Sequence, residues 1–256
     1  MEPNSRTRRM FLRVALTSVG GALLAGCDAL SRTQWFPRLL GAGEHLSRKA
    51  HHLAAPRKSM AQEFTEADLS PFFRSNGTAN PNDATYQALA QNNFVDWRLR
   101  VDGRVERPME FSLAQLRAMP SRTQITRHDC VEGWSAIGKW QGVPLATVLD
   151  LVKPAADARY VVFRCADPMD DDGTKYYESI DLEDAYHPQT ILAYDLNDRT
   201  LPIANGAPLR VRIERQLGYK MAKYIMRIEL VDSFAHIGGG KGGYWEDGGY
   251  EWYAGI

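Results

Sequence analysis

Residues 127–135 read Arg-His-Asp-Cys-Val-Glu-Gly-Trp-Ser, so that one cysteine stands among charged and aromatic side chains. The thiolate is the form of cysteine that binds metals, and the nearby basic residues favour it, whereas Asp129 and Glu132 oppose it. A lone cysteine in a folded domain is more commonly a small buried hydrophobe than a ligand. Taken alone, this stretch leaves open whether Cys130 packs in a core or binds a metal.

Four short stretches carry a family resemblance. Residues 130–135 (Cys-Val-Glu-Gly-Trp-Ser) and 140–145 (Trp-Gln-Gly-Val-Pro-Leu) resemble the signature of the sulfite oxidase superfamily of molybdopterin enzymes. Residues 205–210 (Asn-Gly-Ala-Pro-Leu-Arg) are similar to the family's pterin-binding segment, and 218–223 (Gly-Tyr-Lys-Met-Ala-Lys) to the glycine- and lysine-rich segment after it. The matches occur in the family's order within about 97–231, and ordered motifs are more specific than any one alone.

The resemblance implies a fold, a cofactor and a type of reaction. The fold is an α+β domain of the sulfite oxidase catalytic type, mixed and largely β. The cofactor is molybdenum with one pyranopterin (Mo-molybdopterin), and Cys130 is the protein's ligand to the metal. The reaction is a two-electron transfer of an oxygen atom to or from a sulfur or similar heteroatom, for which the cofactor supplies the chemistry and the protein supplies orientation and electrostatics.

Further cofactor contacts are implied residue by residue, at Asn76, with Asn92 as a second candidate for the same role, and at Cys165, Asn205, Arg210, Met221, Ala222 and Lys223. Cys165 departs from the family, which has a threonine there. Asn76 precedes Gly77, so a turn explains it equally well. The planar guanidinium of Arg210 suits the pyranopterin's terminal phosphate, and Lys223 adds a point charge.

Catalytic roles beside Cys130 are implied for Glu132 and His128, which would tune protonation at the metal, and for Tyr177 on the substrate side. Trp134 and Trp140 are expected to wall the site. Packing or hydrogen bonding is an equally good explanation for these residues, and for Tyr176. Three further basic residues are expected to be surface charges: Arg212, Arg215 and Lys220.

Alternative interpretations remain open. In an oxidising compartment Cys130 could form a disulfide with Cys165, which would remove the metal ligand. The chain could also be a cofactor-free lipoprotein binding module, or an electron-transfer protein without oxygen-atom chemistry.

Composition bounds the class of protein. The chain has 256 residues, of which 44% are hydrophobic, enough for one domain with a substantial core. Its 31 basic residues balance 31 acidic ones. This balance argues against a general nucleic-acid binder, whose affinity comes from neutralising phosphates.

The N-terminus predicts export and anchoring. Arg8 and Arg9 precede an apolar run over 14–25, which is too short to span a bilayer and resembles a twin-arginine signal peptide. Leu-Ala-Gly before Cys27 resembles a bacterial lipobox, which predicts lipidation of that cysteine, and Asp28 resembles an inner-membrane retention signal. We therefore expect a periplasmic or other extracytoplasmic protein that the twin-arginine machinery exports and a lipid anchors, most plainly to the inner membrane.

These features divide the chain into a signal peptide over 1–26, a basic tether over 27–63 and a catalytic domain over 64–256. Basic residues of the tether are attracted to anionic headgroups. The chain lacks a haem-attachment motif, so electrons would pass through a separate redox partner, such as a haem membrane protein or a cytochrome. A small-molecule or protein sulfoxide is among the substrates that the resemblance implies.

Periodicity and turn residues predict the elements around these motifs. We expect a helix near 86–89, a hairpin over 97–105 turning at Asp102-Gly103, a helix over 111–119, a strand over 122–127 that delivers Cys130, a helix over 144–152, a strand over 160–166, a helix ending near 187, and strands over 209–213 and 224–231.

Two glycine- or acid-rich stretches are not expected to be calcium-binding or nucleotide-binding loops. Residues 167–173 lack the ligand spacing of a calcium loop and are expected to form a solvated turn. Residues 238–243 lack the Walker and dinucleotide-binding patterns. The aromatic tail over 244–253 is expected to fold back over the domain, and the alternatives are that it covers the active site or contacts the membrane.

Overall fold

The computed structural model describes residues 59–256, together with Thr33, Trp35, Phe36, Gly43 and Leu46. The predicted signal peptide, Cys27 and nearly all of the tether lie outside the described residues. Residues 59–256 belong to one compact unit. Within the described residues, no helix is both long and apolar enough to cross a membrane.

Strands dominate the compact unit that contains residues 59–256. They are β1 Arg98–Gly103, β2 Met109–Ser112, β3 Arg122–Asp129, β4 Ser135–Pro144, β5 Tyr160–Pro168, β6 Lys175–Asp181, β7 Ile191–Leu196, β8 Arg199–Thr200, β9 Arg210–Arg212 and β10 Ile225–Val231. The α-helices are α1 Ala84–Gln91, α2 Leu113–Ala118, α3 Leu145–Val152, α4 Leu182–Ala185 and α5 Tyr244–Asp247. Short 3₁₀ helices cover Glu66–Asp68, Ile203–Asn205 and Gly218–Lys220.

The strands form two sheets. One has the order β2-β1-β10-β5-β6, and the other has the order β3-β4-β7-β8 with β9 also paired to β7. All of these pairings are antiparallel except that of β1 with β10. The α+β fold of the sulfite oxidase type is confirmed, and β9 and β10 bring the two pterin motifs beside the hairpin that carries Cys130.

Most predicted elements are present. Ser112 caps α2 by a reciprocal box, since its Oγ accepts from the Gln115 backbone N–H at 3.1 Å and its own N–H donates to Gln115 Oε1 at 2.8 Å. Such a box satisfies two backbone donors that a helix start leaves without partners. The predicted strand before Cys130 runs through Asp129, and the helix after Pro144 ends at Val152, as expected.

The turn of the first hairpin was placed wrongly. β1 continues through Asp102 and Gly103, and the chain turns after them. The reason is non-local, because β10 runs parallel to β1 as far as the pair Gly103–Leu230. Gly103 has φ +87°, and a Cβ there would lie 2.2 Å from the Leu230 carbonyl oxygen, so close strand approach explains this glycine.

The buried face of β3 is polar, whereas the buried face of a strand is usually apolar. Its buried side chains are Gln124, Thr126 and His128, all polar. Burying polar groups is unfavourable unless they find hydrogen-bond partners. Gln124 Nε2 donates to Glu214 Oε1 at 2.8 Å, and Glu214 also pairs with Arg212. This polar layer leads directly to the loop of Cys130.

Candidate active site

A cavity opens beside the hairpin loop between β3 and β4. It is lined by the loop before α1, the hairpin loop, the end of β5, the segment that follows β9 and the aromatic C-terminal segment. The lining residues are Asn76, Gly77, Thr78, Cys130, Val131, Glu132, Asp167, Met169, Tyr176, Gly218, Tyr219, Met221, Ala222, Lys223, Trp245 and Tyr250. Six of the predicted site residues are therefore brought together, namely Asn76, Cys130, Glu132, Met221, Ala222 and Lys223.

A tight loop presents Cys130 to the cavity. The Cys130 N–H donates to the Trp134 carbonyl at 2.9 Å, and the Gly133 N–H donates to the Cys130 carbonyl at 3.0 Å. Gly133 has φ +83°, a conformation that glycine adopts without steric cost. The loop therefore fixes the direction of the cysteine side chain before any ligand arrives.

Burial governs the protonation of Cys130. It raises the pKa of the thiol, and the Glu132 carboxylate acts in the same direction, while backbone N–H groups and the charge of Arg74 lower it. A bound cation would offset this by stabilising the thiolate. Cys130 and Cys165 are both free thiols, so the disulfide alternative is wrong for this structure.

His128 lies behind the cavity and is completely buried. Arg212 Nη1 donates to its Nδ1 at 2.9 Å, and because arginine has no acceptor, Nδ1 must be unprotonated and the proton lies on Nε2. Burial, followed by the charges of Arg212, Arg210 and Lys223, lowers the pKa of His128 well below its usual value. His128 is thus a neutral residue that does not itself line the cavity, and its Nε2 has no partner. Its expected role in tuning protonation at the metal stays a prediction.

Arg212 was wrongly predicted to be a surface charge. It is fully buried, its Nη2 pairs with Glu214 Oε2 at 2.6 Å, and its guanidinium stacks 4.5 Å from the centroid of the Trp140 ring. Arg215, by contrast, is half-buried. Alternation in β9 places Arg210 and Arg212 on the same face, and the tertiary structure turns that face inward.

Arg210 is the neighbouring buried cation. Its guanidinium lies 5.0 Å from the Trp140 ring centroid and donates to the carbonyls of Asn205 at 3.0 Å and Met221 at 3.3 Å. No ion pair to Arg210 forms in the described part of the chain, and its Nε has no partner. Burial and then Arg212 lower its pKa to about 9. A buried guanidinium without a carboxylate suits an anionic group.

The ammonium group of Lys223 is not free, although it was expected to act as a point charge toward the pterin phosphate. Its Nζ donates to the carbonyls of Asn76 at 2.6 Å, Thr78 at 2.5 Å and Ala204 at 3.1 Å. These bonds use all three ammonium protons. Lys223 therefore ties the loop at 76–78 to the pterin motif, and burial, followed by Arg210, lowers its pKa to about 7.

Asp167 is a site residue that sequence reasoning missed, because 167–173 was predicted to be a solvated turn. The residue is buried at the end of β5, lines the cavity, and has an Oδ1 without a partner. Burial raises its pKa to about 6, and Lys223 lowers it. An apolar strand followed by a carboxylate was the available signal, but only the tertiary structure shows that the turn begins after Asp167.

Lys220 was also wrongly placed on the surface. It is fully buried, and its Nζ pairs at 2.5 Å with both Glu178 and Glu246. Burial raises the pKa of Glu178 well above its usual value, and Glu246 acts in the same direction, while Lys220 lowers it. This buried charge cluster joins β6 and the 218–220 helix to the C-terminal α5.

Several other predicted residues lie away from the cavity lining. Asn92 ends α1 and donates to Asp96 at 2.7 Å, and Cys165 packs in the main apolar core. Tyr177 donates to Asp247 Oδ2 at 2.5 Å, whereas its neighbour Tyr176 lines the cavity. The two tyrosines point to opposite faces of β6, since side chains alternate along a strand.

The tryptophans expected as walls also lie elsewhere. Trp140 is buried beneath Arg210 and Arg212, and Trp134 donates from its Nε1 to Glu132 Oε2 at 3.0 Å. The cavity's aromatic wall comes instead from the C-terminal segment, with Trp245 and Tyr250. The aromatic tail therefore folds back over the domain and lines the same cavity as Cys130.

Some buried polar atoms of the described residues have no hydrogen-bond partner, and two of them, Asn76 Oδ1 and Asp167 Oδ1, belong to the cavity lining. The others include His128 Nε2, Asn205 Nδ2 and Arg210 Nε. Buried polar groups normally have hydrogen-bond partners, so unsatisfied ones in the wall of a cavity indicate a ligand. Donors with a buried cation beside one carboxylate fit a phosphate-bearing heterocycle with its own N–H groups. No cluster of three or more metal-ligating side chains occurs in the described residues, and Cys130 as the protein's ligand to the metal stays a prediction.

The fold and the site define a pterin-cofactor oxidoreductase. The chain belongs to the oxidoreductase molybdopterin-binding domain family, whose model matches residues 86–236. The match extends from α1 to the segment after β10 and so contains every strand of both sheets.

Relatives with described activities match different shares of this chain. The chain is 37% identical over 248 residues to the putative protein-methionine-sulfoxide reductase subunit YedZ1 of Azospira oryzae, covering 97% of this chain and 87% of the relative. It is 39% identical over 145 residues to the protein-methionine-sulfoxide reductase catalytic subunit MsrP of Xanthomonas axonopodis, covering 53% and 45%. With MsrP of Ralstonia nicotianae it shares 35% over 178 residues, covering 66% and 53%.

Among solved structures, the sulfane dehydrogenase SoxCD of Paracoccus pantotrophus matches 70% of this chain and 46% of its own, with 18% identity and a TM-score of 0.49. The predicted identity as a molybdopterin oxidoreductase of the sulfite oxidase family, which performs oxygen-atom transfer, is confirmed by the family match and the relatives. The non-catalytic alternatives are thereby disfavoured.

Proposed function

We propose that this chain is the catalytic protein of a sulfoxide reductase, with molybdenum held by Cys130 and one pyranopterin. The substrate would be a neutral organic sulfoxide, free or in a protein. The sulfur–oxygen bond breaks, the sulfur gains two electrons, and the oxygen leaves with two protons as water. When bound, the molybdenum cofactor supplies the two-electron oxygen-atom chemistry.

The character of the cavity lining is the observation that carries this proposal. Its one cation among the described residues is Lys223, and that ammonium is already bonded to three carbonyls. Glu132 and Asp167 add negative charge, and the rest of the lining is largely aromatic or apolar. Arg74 influences Cys130 but stacks on Trp134, outside the lining. Such a site favours a neutral sulfoxide over a small anion such as sulfite.

The chain's own residues would divide the work. Arg210, with Asn205 beside it, would hold the pterin phosphate. Asp167 would accept from N–H groups of the pterin ring, and Lys223 would keep the loops in register. Glu132 is exposed at the mouth, where it can pass protons between solvent and the site.

Electrons would come from a separate redox partner, such as a haem membrane protein or a cytochrome. The relatives support this, since they are described as subunits of their reductases. Export by the twin-arginine machinery and lipidation at Cys27 would place the enzyme on the outer face of the inner membrane. The support for this location is the N-terminal sequence pattern alone.

The test uses protein purified from a host that makes the cofactor. We expect about one molybdenum and one pterin per chain, measured by mass spectrometry of the metal and fluorescence of the oxidised pterin. Reduced viologen should be oxidised when methionine sulfoxide is added, at a rate well above that of ferricyanide reduction with sulfite. Faster sulfite oxidation than sulfoxide reduction would contradict the proposed substrate class.

A further inference from the structure

An arc of five aromatic rings surrounds the cavity. Successive ring centroids are 5.2 Å apart for Tyr219–Tyr250, 5.4 Å for Tyr250–Trp245, 5.2 Å for Trp245–Tyr244 and 6.1 Å for Tyr244–Tyr176. All except Tyr244 line the cavity. The arc therefore continues from the pterin motif to the C-terminal segment around the same opening as Cys130.

The outer part of this arc is exposed although its rings are large. Trp245 is 37% exposed and Tyr250 is 40% exposed, and Val131, next to Cys130, is 45% exposed. All three line the cavity. Exposed apolar side chains that are grouped at the mouth of a concave site indicate a surface for binding a ligand.

The segment that carries these rings is firmly attached. We define residues 243–252 as the C-terminal arm. Glu246 pairs with the buried Lys220, and Asp247 accepts from the Tyr177 hydroxyl at 2.5 Å and the Gly239 N–H at 2.7 Å. The Tyr250 N–H donates to the Trp245 carbonyl at 3.0 Å, which closes the arm on itself. Rings on so constrained a segment are positioned before a substrate binds, and such preorganisation lowers the entropic cost of binding.

Aromatic rings bind particular parts of a sulfur substrate. Sulfur atoms and the alkyl groups beside them make favourable contacts with ring edges and faces. Trp and Tyr also offer large contact areas with few rotatable bonds. Dimethyl sulfoxide has only two methyl groups to place against such rings, whereas a methionine sulfoxide side chain attached to a peptide offers a larger apolar surface.

We propose that Trp245 and Tyr250 are specificity-determining residues, which contact the substituent of a bulky sulfoxide. Through these contacts the C-terminal arm favours the binding of peptide-borne sulfoxides over small ones. This inference rests on the proposed sulfoxide reductase activity. It assigns the selection to residues that follow the family-matched region, which ends at residue 236.

The kinetic test compares Trp245→Ala and Tyr250→Ala with wild-type holoenzyme. With a short peptide that contains methionine sulfoxide, each variant should raise KM about tenfold and leave kcat within about twofold. With dimethyl sulfoxide, KM should change less than twofold. Tyr186→Ala is the matched control, because Tyr186 is 39% exposed and does not line the cavity, and it should leave both substrates unaffected.

A binding measurement separates this inference from the proposed activity. Calorimetric titration of the oxidised holoenzyme with the corresponding methionine sulfone peptide requires no turnover. Each variant should raise the Kd for this peptide about tenfold. If wild-type enzyme reduces no sulfoxide but Trp245→Ala still raises the Kd for the sulfone peptide, the proposed activity fails and the binding role of the arm stands. Unchanged Kd and KM for the peptides in both folded variants would overturn the inference.

Discussion

At the scale of single residues, Cys130 stands in a tight loop, and burial raises the pKa of its thiol. We expect Cys130→Ser to abolish sulfoxide reduction, because a hydroxyl cannot replace the thiolate as a soft metal ligand. The fold and most of the pterin should remain, since Arg210 and Asn205 lie apart from the thiol. Activity, metal content and pterin content measured on one sample check this, and wild-type turnover in the variant would show that Cys130 is not the ligand.

Arg210 has the clearest expected role in cofactor retention. Replacing it by alanine removes a charge-assisted hydrogen bond to a buried anion, which contributes roughly 1.5–3 kcal/mol. We expect Arg210→Ala to lower the pterin content of purified protein, measured by fluorescence of the oxidised pterin. Arg199→Ala changes an exposed arginine on β8 and serves as the control. Equal pterin content in all three proteins would reject the assignment.

Asp167 gives a pH-dependent prediction. Its pKa in the folded chain is about 6, above the usual 3.8, so the folded state holds the proton more tightly than the unfolded state. In cofactor-free protein this carboxyl therefore lowers stability progressively as pH rises from about 4 to 6, by up to about 3 kcal/mol. Asp167→Asn should remove that decline.

Urea unfolding of cofactor-free wild type and Asp167→Asn between pH 4 and pH 8 measures this difference. The two proteins should be most alike near pH 4, and the variant should become relatively more stable up to about pH 7. A constant difference across the range would show that Asp167 does not titrate in the folded protein as its burial implies.

At the scale of elements, the buried cluster of Lys220, Glu178 and Glu246 joins three parts of the chain. Breaking a buried ion pair by removing one partner typically costs 3–5 kcal/mol, because the remaining charge has no compensation. We expect Lys220→Met to lower the free energy of unfolding by about this amount, measured by urea denaturation. Exposed pairs contribute about 0–1 kcal/mol, so Lys175→Met, which removes the Lys175–Asp83 pair at 2.8 Å, is the control.

A second variant tests the cause of that loss. Changing Glu178 and Glu246 to glutamine in the Lys220→Met background removes the uncompensated charges and should restore part of the stability. If the triple variant is no more stable than Lys220→Met, lost packing rather than buried charge explains the effect.

At the scale of the whole molecule, location depends on the N-terminal segment, whose signals act in sequence. Changing both Arg8 and Arg9 to lysine should retain precursor in the cytoplasm, because the twin-arginine signal is lost. Cys27→Ala should still allow export and should prevent lipidation, leaving only weak electrostatic attachment through the tether. Cell fractionation and metabolic labelling with palmitate distinguish the two steps. Export of the double-lysine variant at normal levels would argue against the twin-arginine signal, and labelled Cys27→Ala would argue against the lipid anchor.

The sequence alone determined features that depend on local chemistry or on ordered motifs. The helix that begins after Ser112, the strand before Cys130 and the helix after Pro144 follow from spacing and from residue type, which act over a few residues. Ordered motifs also indicated the family and predicted Cys130, Glu132, Met221 and Ala222, which line one cavity, because a motif keeps its position relative to a shared backbone.

Only the tertiary structure decided which polar residues are buried and what each one contacts. Arg212 and Lys220 looked like surface charges, since a carboxylate partner such as Glu214 or Glu246 cannot be recognised before the chain is folded. The position of Trp245 beside Cys130 likewise depends on contacts between distant parts of the chain. Burial and long-range pairing are properties of the packed molecule, and local sequence patterns do not contain them.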